Sequence, residues 1–152
     1  MYNLGQMYRC GQAVKKNRAT AVKWYMRAAE LGHVVAAHWL GRIHDGDEGG
    51  RRNPRLAVKW YKIAAEKGDA ASQCALGVYY HNGHDVPQDL EAAARYYRLA
   101  AEKGERWAQY LLGLCYLDGD GVRGNRRWAR HWLKKSADAG EAAARRELAK
   151  LE

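Results

Sequence analysis

The side chains able to do chemistry are few and scattered. Two His-Asp pairs stand out, His44-Asp45 and the run His81-Asn82-Gly83-His84-Asp85. His81 and His84, three apart at a helix end, have a spacing that would let both reach one metal ion together with His44. Solvated surface histidines are the commoner arrangement and the reading adopted, so no metal site is expected. His131, just before Trp132, reads as another solvated helix position. Cys10, Cys74 and Cys115 are odd in number and lack C-x-x-C spacing, so they read as reduced, partly buried thiols rather than a disulfide framework or zinc site. There is no G-x-S-x-G elbow, phosphate-binding P-loop or H-E-x-x-H helix. No catalytic residue and no cofactor is therefore expected, and the chain is not read as an enzyme.

A folded domain must position whatever these residues do. The chain has 152 residues, 47% hydrophobic and 28% charged, with 16 Gly and 2 Pro, which excludes a disordered tail or a collagen-like fibre. One domain of this length buries roughly 68–70% of the surface its unfolded chain exposes. Its 26 Lys+Arg against 17 Asp+Glu give a formal charge of +9. No run nears the ~18 consecutive apolar residues of a membrane span, and the first residues, MYNLGQMYRCGQAVKKNRAT, lack the apolar centre of a secretion signal. A cytoplasmic location is favoured, and a periplasmic or secreted one if the chain is a trimmed mature form. Phe is absent beside 6 Trp and 10 Tyr, so Tyr and Trp carry the aromatic packing.

Self-similarity organises the chain. Leu-Gly recurs at Leu4-Gly5, Leu40-Gly41, Leu76-Gly77 and Leu112-Gly113, and the same 36-residue step relates Trp24, Trp60, Tyr96 and Trp132, and Gly32, Gly68, Gly104 and Gly140. The repeats are 1–33, short by three residues at its start, then 34–69, 70–105 and 106–141, followed by a tail, 142–152. Each reads as two helices. The first spans about 70–82 in the third repeat, with Ser72, Leu76 and Tyr80 on one face. The second begins after Asn17, Asn53, Asp89 or Asn125, side chains suited to cap a first turn, and ends at the repeating glycine. Pro54 fits the first helical position after Asn53. Such a hairpin cannot bury its apolar face alone, so the hairpins must stack. The expected fold is all-α, a right-handed α-solenoid. The tail AAARRELAKL reads as an amphipathic capping helix, Leu148 and Leu151 toward the last repeat and Arg145, Arg146 and Lys150 toward water. Met1 enters in the middle of the first helix, which reads as a fragment or truncated start.

The pattern A-x-x-x-L-G-x-x-Y-x-x-G, then N/D-x-x-x-A-x-x-W-Y-x-x-A-A-x-x-G, resembles the Sel-one-like repeat family, relatives of the tetratricopeptide repeats. It runs through Ala108, Leu112, Gly113, Tyr116, Gly119, Val122, Asn125, Ala129, Trp132, Ala137 and Gly140, and again from Leu76 to Gly104. The second repeat departs from it, with His44 in place of Tyr and the loop Asp45-Gly46-Asp47-Glu48-Gly49-Gly50 in place of Gly-x-Gly-Val. The three cysteines do not follow the paired plan of the family's cysteine-rich branch. The resemblance implies a non-catalytic scaffold or adaptor, commonly bacterial, that binds other proteins; neutralisation of a toxin or effector is an alternative role that some members suggest.

Helical geometry places the positions five before, two before, two after and five after the motif Leu opposite its core face, on what would be the concave groove. These are Tyr2, Gln6 and Arg9; Val35, His38, Arg42 and Asp45; Ala71, Cys74, Val78 and His81; and Trp107, Tyr110, Leu114 and Leu117. The set grades from basic to apolar. The expectation is a protein or peptide partner in this groove, its apolar part on Trp107, Tyr110, Leu114 and Leu117 and an acidic end on Arg9 and Arg42, with Tyr2, His38 and His81 beside them. The capping helix or a neighbouring repeat covering the apolar stripe is the alternative. Lys15, Lys16 and Arg18, then Arg51, Arg52 and Arg55, then Arg123, Arg126 and Arg127 form a basic rim before the second helices. Nucleic acid or anionic lipid on that rim is the different-class alternative, disfavoured because single-strand binding wants interleaved aromatics and only Trp128 is placed for it. A monomer is favoured.

Overall fold

The protein is described by a computed structural model covering residues 1–49, 51–83 and 85–151, the side chain of Glu48 excepted. The described residues form nine α-helices and no strand: α1 (Tyr2–Cys10), α2 (Arg18–Glu30), α3 (Val34–His44), α4 (Pro54–Glu66), α5 (Ala70–Asn82), α6 (Leu90–Glu102), α7 (Arg106–Asp118), α8 (Arg126–Asp138) and α9 (Ala142–Ala149), with a short 3-10 turn at Asp47–Gly49. Two compact units divide the chain, Met1–Ser72 and Gln73–Glu152. In the first, α1 to α4 pack in sequence order; in the second, α6 to α9 do.

One residue per repeat joins a hairpin to the next. After α2, the Gly32 N–H donates to the Ala29 carbonyl and the His33 N–H to that of Ala28, the paired bonds of a Schellman closure. Gly32 supplies the left-handed backbone, at φ 89°. His33 then opens α3, its Nδ1 accepting from the Ala36 N–H. Asp69, Glu105 and Glu141 repeat both roles, closing one helix with the backbone N–H and capping the next with the side chain. Within each hairpin the second-helix caps fall where expected, Asn17, Asn53, Asp89 and Asn125 accepting from Thr20, Leu56, Ala92 and Trp128. The same four residues donate their N–H groups back to the carbonyls of Tyr8, His44, Tyr80 and Tyr116. The irregular loop of the second repeat therefore keeps the closing bond, at 2.6 Å to His44, around its 3-10 turn.

The repeating Leu-Gly has a packing cause. Leu40, Leu76 and Leu112 are fully buried, each worth roughly 1.5–3 kcal/mol. The glycine beside each Leu lets the second helix lay a side chain against bare backbone: a methyl group on Gly5, Gly41 or Gly77 would stand closer than 3.0 Å to the ring of Tyr25, Tyr61 or Tyr97, and on Gly113 to Leu133. In the first unit Tyr25, Leu40, Ile43, Trp60 and Ala64 lie in one core cluster. In the second, Leu133, Ala137 and Ala144 form a cluster against which Tyr110, Leu117, Leu148 and Leu151 pack, so α9 lies over the last hairpin.

Candidate protein-interaction face

The first helix of each hairpin carries the candidate face, and its positions divide by depth. Five before the motif Leu, the side chains are open: Val35 is 42% exposed and Trp107 41%, and Ala71 is also exposed. Two before it, the expectation of an open groove is corrected. Cys74 is buried, and Tyr2, His38 and Tyr110 are half-buried, because this position faces the residue that opens the next hairpin. Tyr2 stacks on His33 with ring centroids 4.5 Å apart. His38 Nδ1 lies 3.1 Å from Asp69 Oδ2 and 2.9 Å from Ser72 Oγ. Burial, then the Glu105 carboxylate to which Cys74 hydrogen-bonds, push that thiol's pKa up. Burial alone would raise the Asp69 pKa, but hydrogen bonds from His38 and Ser72 prevail and hold it down to about 2. These contacts form repeat-to-repeat joints.

The apolar stripe is corrected in the same way. Only Trp107 stands in the open, its ring 5.0 Å from that of Tyr110; Tyr110, Leu114 and Leu117 are half-buried, Tyr110 and Leu117 against the cluster that α9 completes. Leu148 and Leu151 of the tail pack on that same cluster. His81 is half-buried, with Nε2 3.5 Å from Asp120 Oδ2.

In the first unit the basic pair is drawn onto a residue the helical angles passed over. Trp39, one before the motif Leu and half-buried, has the Arg9 guanidinium 4.0 Å and the Arg42 guanidinium 4.5 Å from its ring centroid. Arg9 Nε donates to Gln6 Oε1 at 2.8 Å, Gln6 Nε2 to Tyr2 Oη at 2.8 Å, and Tyr25 Oη to Gln6 Oε1 at 2.7 Å. Arg42 Nε donates to the Asp47 carboxylate. Trp39 was legible only as a departure from its equivalents Asn3, Ala75 and Leu111.

The rim is exposed at Lys15, Lys16, Arg51, Arg52, Arg55, Arg123, Arg126 and Arg127. Several of its cations serve the fold. Arg18 donates to the Ile43 carbonyl at 2.7 Å, Arg52 pairs with Asp45 at 3.1 Å, and Arg126, joined by Arg130 one turn further along α8, donates to the Leu151 carbonyl. Trp128, 47% exposed, stacks near Tyr116 and meets His131 edge-on. Among the described residues no group of three His, Cys, Asp or Glu side chains is placed to hold a metal; His84 lies outside them. All three cysteines are free, Cys10 exposed and the others buried. No helix among the described residues is long and apolar enough to cross a membrane.

The Sel1 repeat model matches residues 1–33, 34–69, 70–105 and 108–141. Among solved structures, a protective antigen from uropathogenic Escherichia coli with an SLR fold is 38% identical over 94% of this chain, with a TM-score of 0.89. A Sel1 repeat protein from Oxalobacter formigenes is 34% identical over 99%, with a TM-score of 0.90. The chain spans 31% and 44% of the lengths of those two proteins. Cysteine-rich protein B of Helicobacter pylori is 27% identical over 88% of this chain and 96% of its own, with a TM-score of 0.67. No curated protein sequence matches significantly. The fold class is accordingly the all-α helical-repeat solenoid of these neighbours. With four matches covering nearly its whole length, the chain belongs to the Sel1 repeat family, whose members typically act as protein-interaction scaffolds.

Proposed function

We propose that this protein is a non-catalytic interaction module that holds a partner protein or peptide on the first-helix face of its hairpins. The observation that carries the reading is Trp107. An indole 41% exposed stands at the position where the neighbouring repeats present the smaller Val35 and Ala71, on a helix whose other apolar groups are half-buried or buried. A large rigid side chain left in water beside an aromatic neighbour is the composition of an interface anchor. Tyr110, its ring centroid 5.0 Å away, gives the indole a floor.

Affinity capture from the source cell, with nuclease added, tests the reading. The native chain is compared with Trp107→Ala and with the rim pair Arg51→Glu plus Arg52→Glu. A protein retained by the native chain and the rim pair but lost by Trp107→Ala is the expected result. Retention that disappears with nuclease, or with the rim pair alone, would overturn it in favour of the anionic-surface alternative.

A further inference from the structure

We propose that the outward side of α8 docks on an anionic bilayer surface, with Trp128 as the residue that enters the headgroup layer. The proposal goes beyond the interaction reading above and does not depend on it. Between Asp120 and Asp138 the chain carries Arg123, Arg126, Arg127, Arg130, Lys134 and Lys135 and no acidic residue, and all six cations are exposed. Arg126 and Arg130 turn to the Leu151 carbonyl, a neutral acceptor that leaves their charge in place. Positions 127, 131 and 134 are three or four apart and share one side of the helix, so Arg127, His131 and Lys134 stand together facing water. Trp128 borders that side, 47% exposed.

The repeat does not call for this group. In the places of Arg127, Trp128 and His131, α6 has Glu91, Ala92 and Arg95, and α2 has Ala19, Thr20 and Lys23. The indole is also steadied where it stands: Tyr116 stacks against it with centroids 6.3 Å apart, His131 meets it at 85°, and the Tyr116 hydroxyl accepts from Arg98 at 2.8 Å. Beside the ring a cavity of about 380 Å³ is lined by Asn125, Arg127, Trp128 and His131, where a phosphate-bearing headgroup would meet cation and indole together. Tryptophan favours the membrane–water boundary. Each Lys or Arg near an anionic leaflet adds to the attraction through its charge, without needing a vacant hydrogen-bond donor. Nucleic acid fits less well. Single strands lay successive bases on successive aromatic faces, and the other indole of α8, Trp132, is buried. Docking of this kind is peripheral, in keeping with described helices too short or too polar to cross a membrane.

The test sediments the full chain with sucrose-loaded vesicles of phosphatidylglycerol and phosphatidylcholine, and with vesicles of phosphatidylcholine alone. Binding is expected to the anionic vesicles only, weakening as salt rises. Arg127→Gln plus Lys134→Gln weakens it by about 25-fold, which is roughly fivefold for each cation. Trp128→Ala weakens it by about tenfold, the loss of a partly buried indole. Lys15→Gln plus Lys16→Gln, which removes the same charge from the first unit, changes it by less than about threefold. With lipids brominated in their acyl chains, fluorescence of the native chain is quenched more strongly than that of Trp128→Phe. Equal binding to both kinds of vesicle, undiminished binding by Trp128→Ala, quenching unaltered in Trp128→Phe, or an equal loss from the Lys15 and Lys16 pair would each overturn the proposal. So would an oligo-thymidylate that Trp128→Ala fails to bind while the native chain leaves the vesicles in solution, which would assign the face to nucleic acid. Capture of a protein through Trp107 is a separate measurement, and either result can fail without the other.

Discussion

Individual side chains in this protein mostly serve the joints between repeats, and Asp69 is the clearest case. It closes α4 with its backbone N–H, caps α5 with its carboxylate and accepts from His38. Its pKa is held down to about 2, against an ordinary 3.8. The unfolded chain therefore takes up a proton at higher pH than the native one, so this stabilisation is complete above about pH 5 and is lost as pH falls through about 2. Urea titrations should place native protein roughly 2 kcal/mol above Asp69→Asn at pH 5, with the gap closing toward pH 2; a gap independent of pH would contradict the assignment. Gly77 carries a second prediction. Because a methyl group there would collide with the Tyr97 ring, Gly77→Ala should lower stability by about 1–3 kcal/mol, although alanine is the better helix former. A melting temperature equal to or above that of the native protein would show that the two helices separate at little cost.

At the scale of the element, the sequence was most informative where one residue type answers one local need. The second-helix caps, Pro54 and the glycines at 32, 68, 104 and 140 could all be read because each satisfies its own backbone. The joint positions could not. Tyr2, His38, Cys74 and Tyr110 lie opposite the motif Leu on an isolated helix, and only the arrival of the following first helix turns that side inward. Trp39 was missed for a related reason: one position from the motif Leu it belongs to neither face of a lone helix, and it gains its role from Arg9, which α1 supplies. The last element carries its own prediction. Leu148 and Leu151 of the tail pack on the cluster around Leu133 and Ala137, so Leu148→Ala plus Leu151→Ala should cost on the order of 2–4 kcal/mol. Thermal melting follows this directly, and an unchanged melting temperature would mean that α9 does not cover the hairpin in solution.

Over the whole molecule, a regular framework is dressed with surfaces that differ from repeat to repeat. Four hairpins share caps, closing bonds and a Leu-Gly seam, so the framework accounts for nearly every recurring residue. What does not recur is part of the surface, cations gathered on Trp39 in one unit and an open Trp107 in the other. That division fits the proposed reading of this chain as a module that binds another protein. Site-specific photo-crosslinking tests it most directly, with a light-activated side chain placed at Val35 or Trp107 on the first-helix face, and at Lys59 or Lys134 on exposed positions of second helices. The account predicts a discrete, nuclease-resistant protein adduct from the first pair and none from the second. Adducts from the second pair alone, or adducts that nuclease removes, would contradict it.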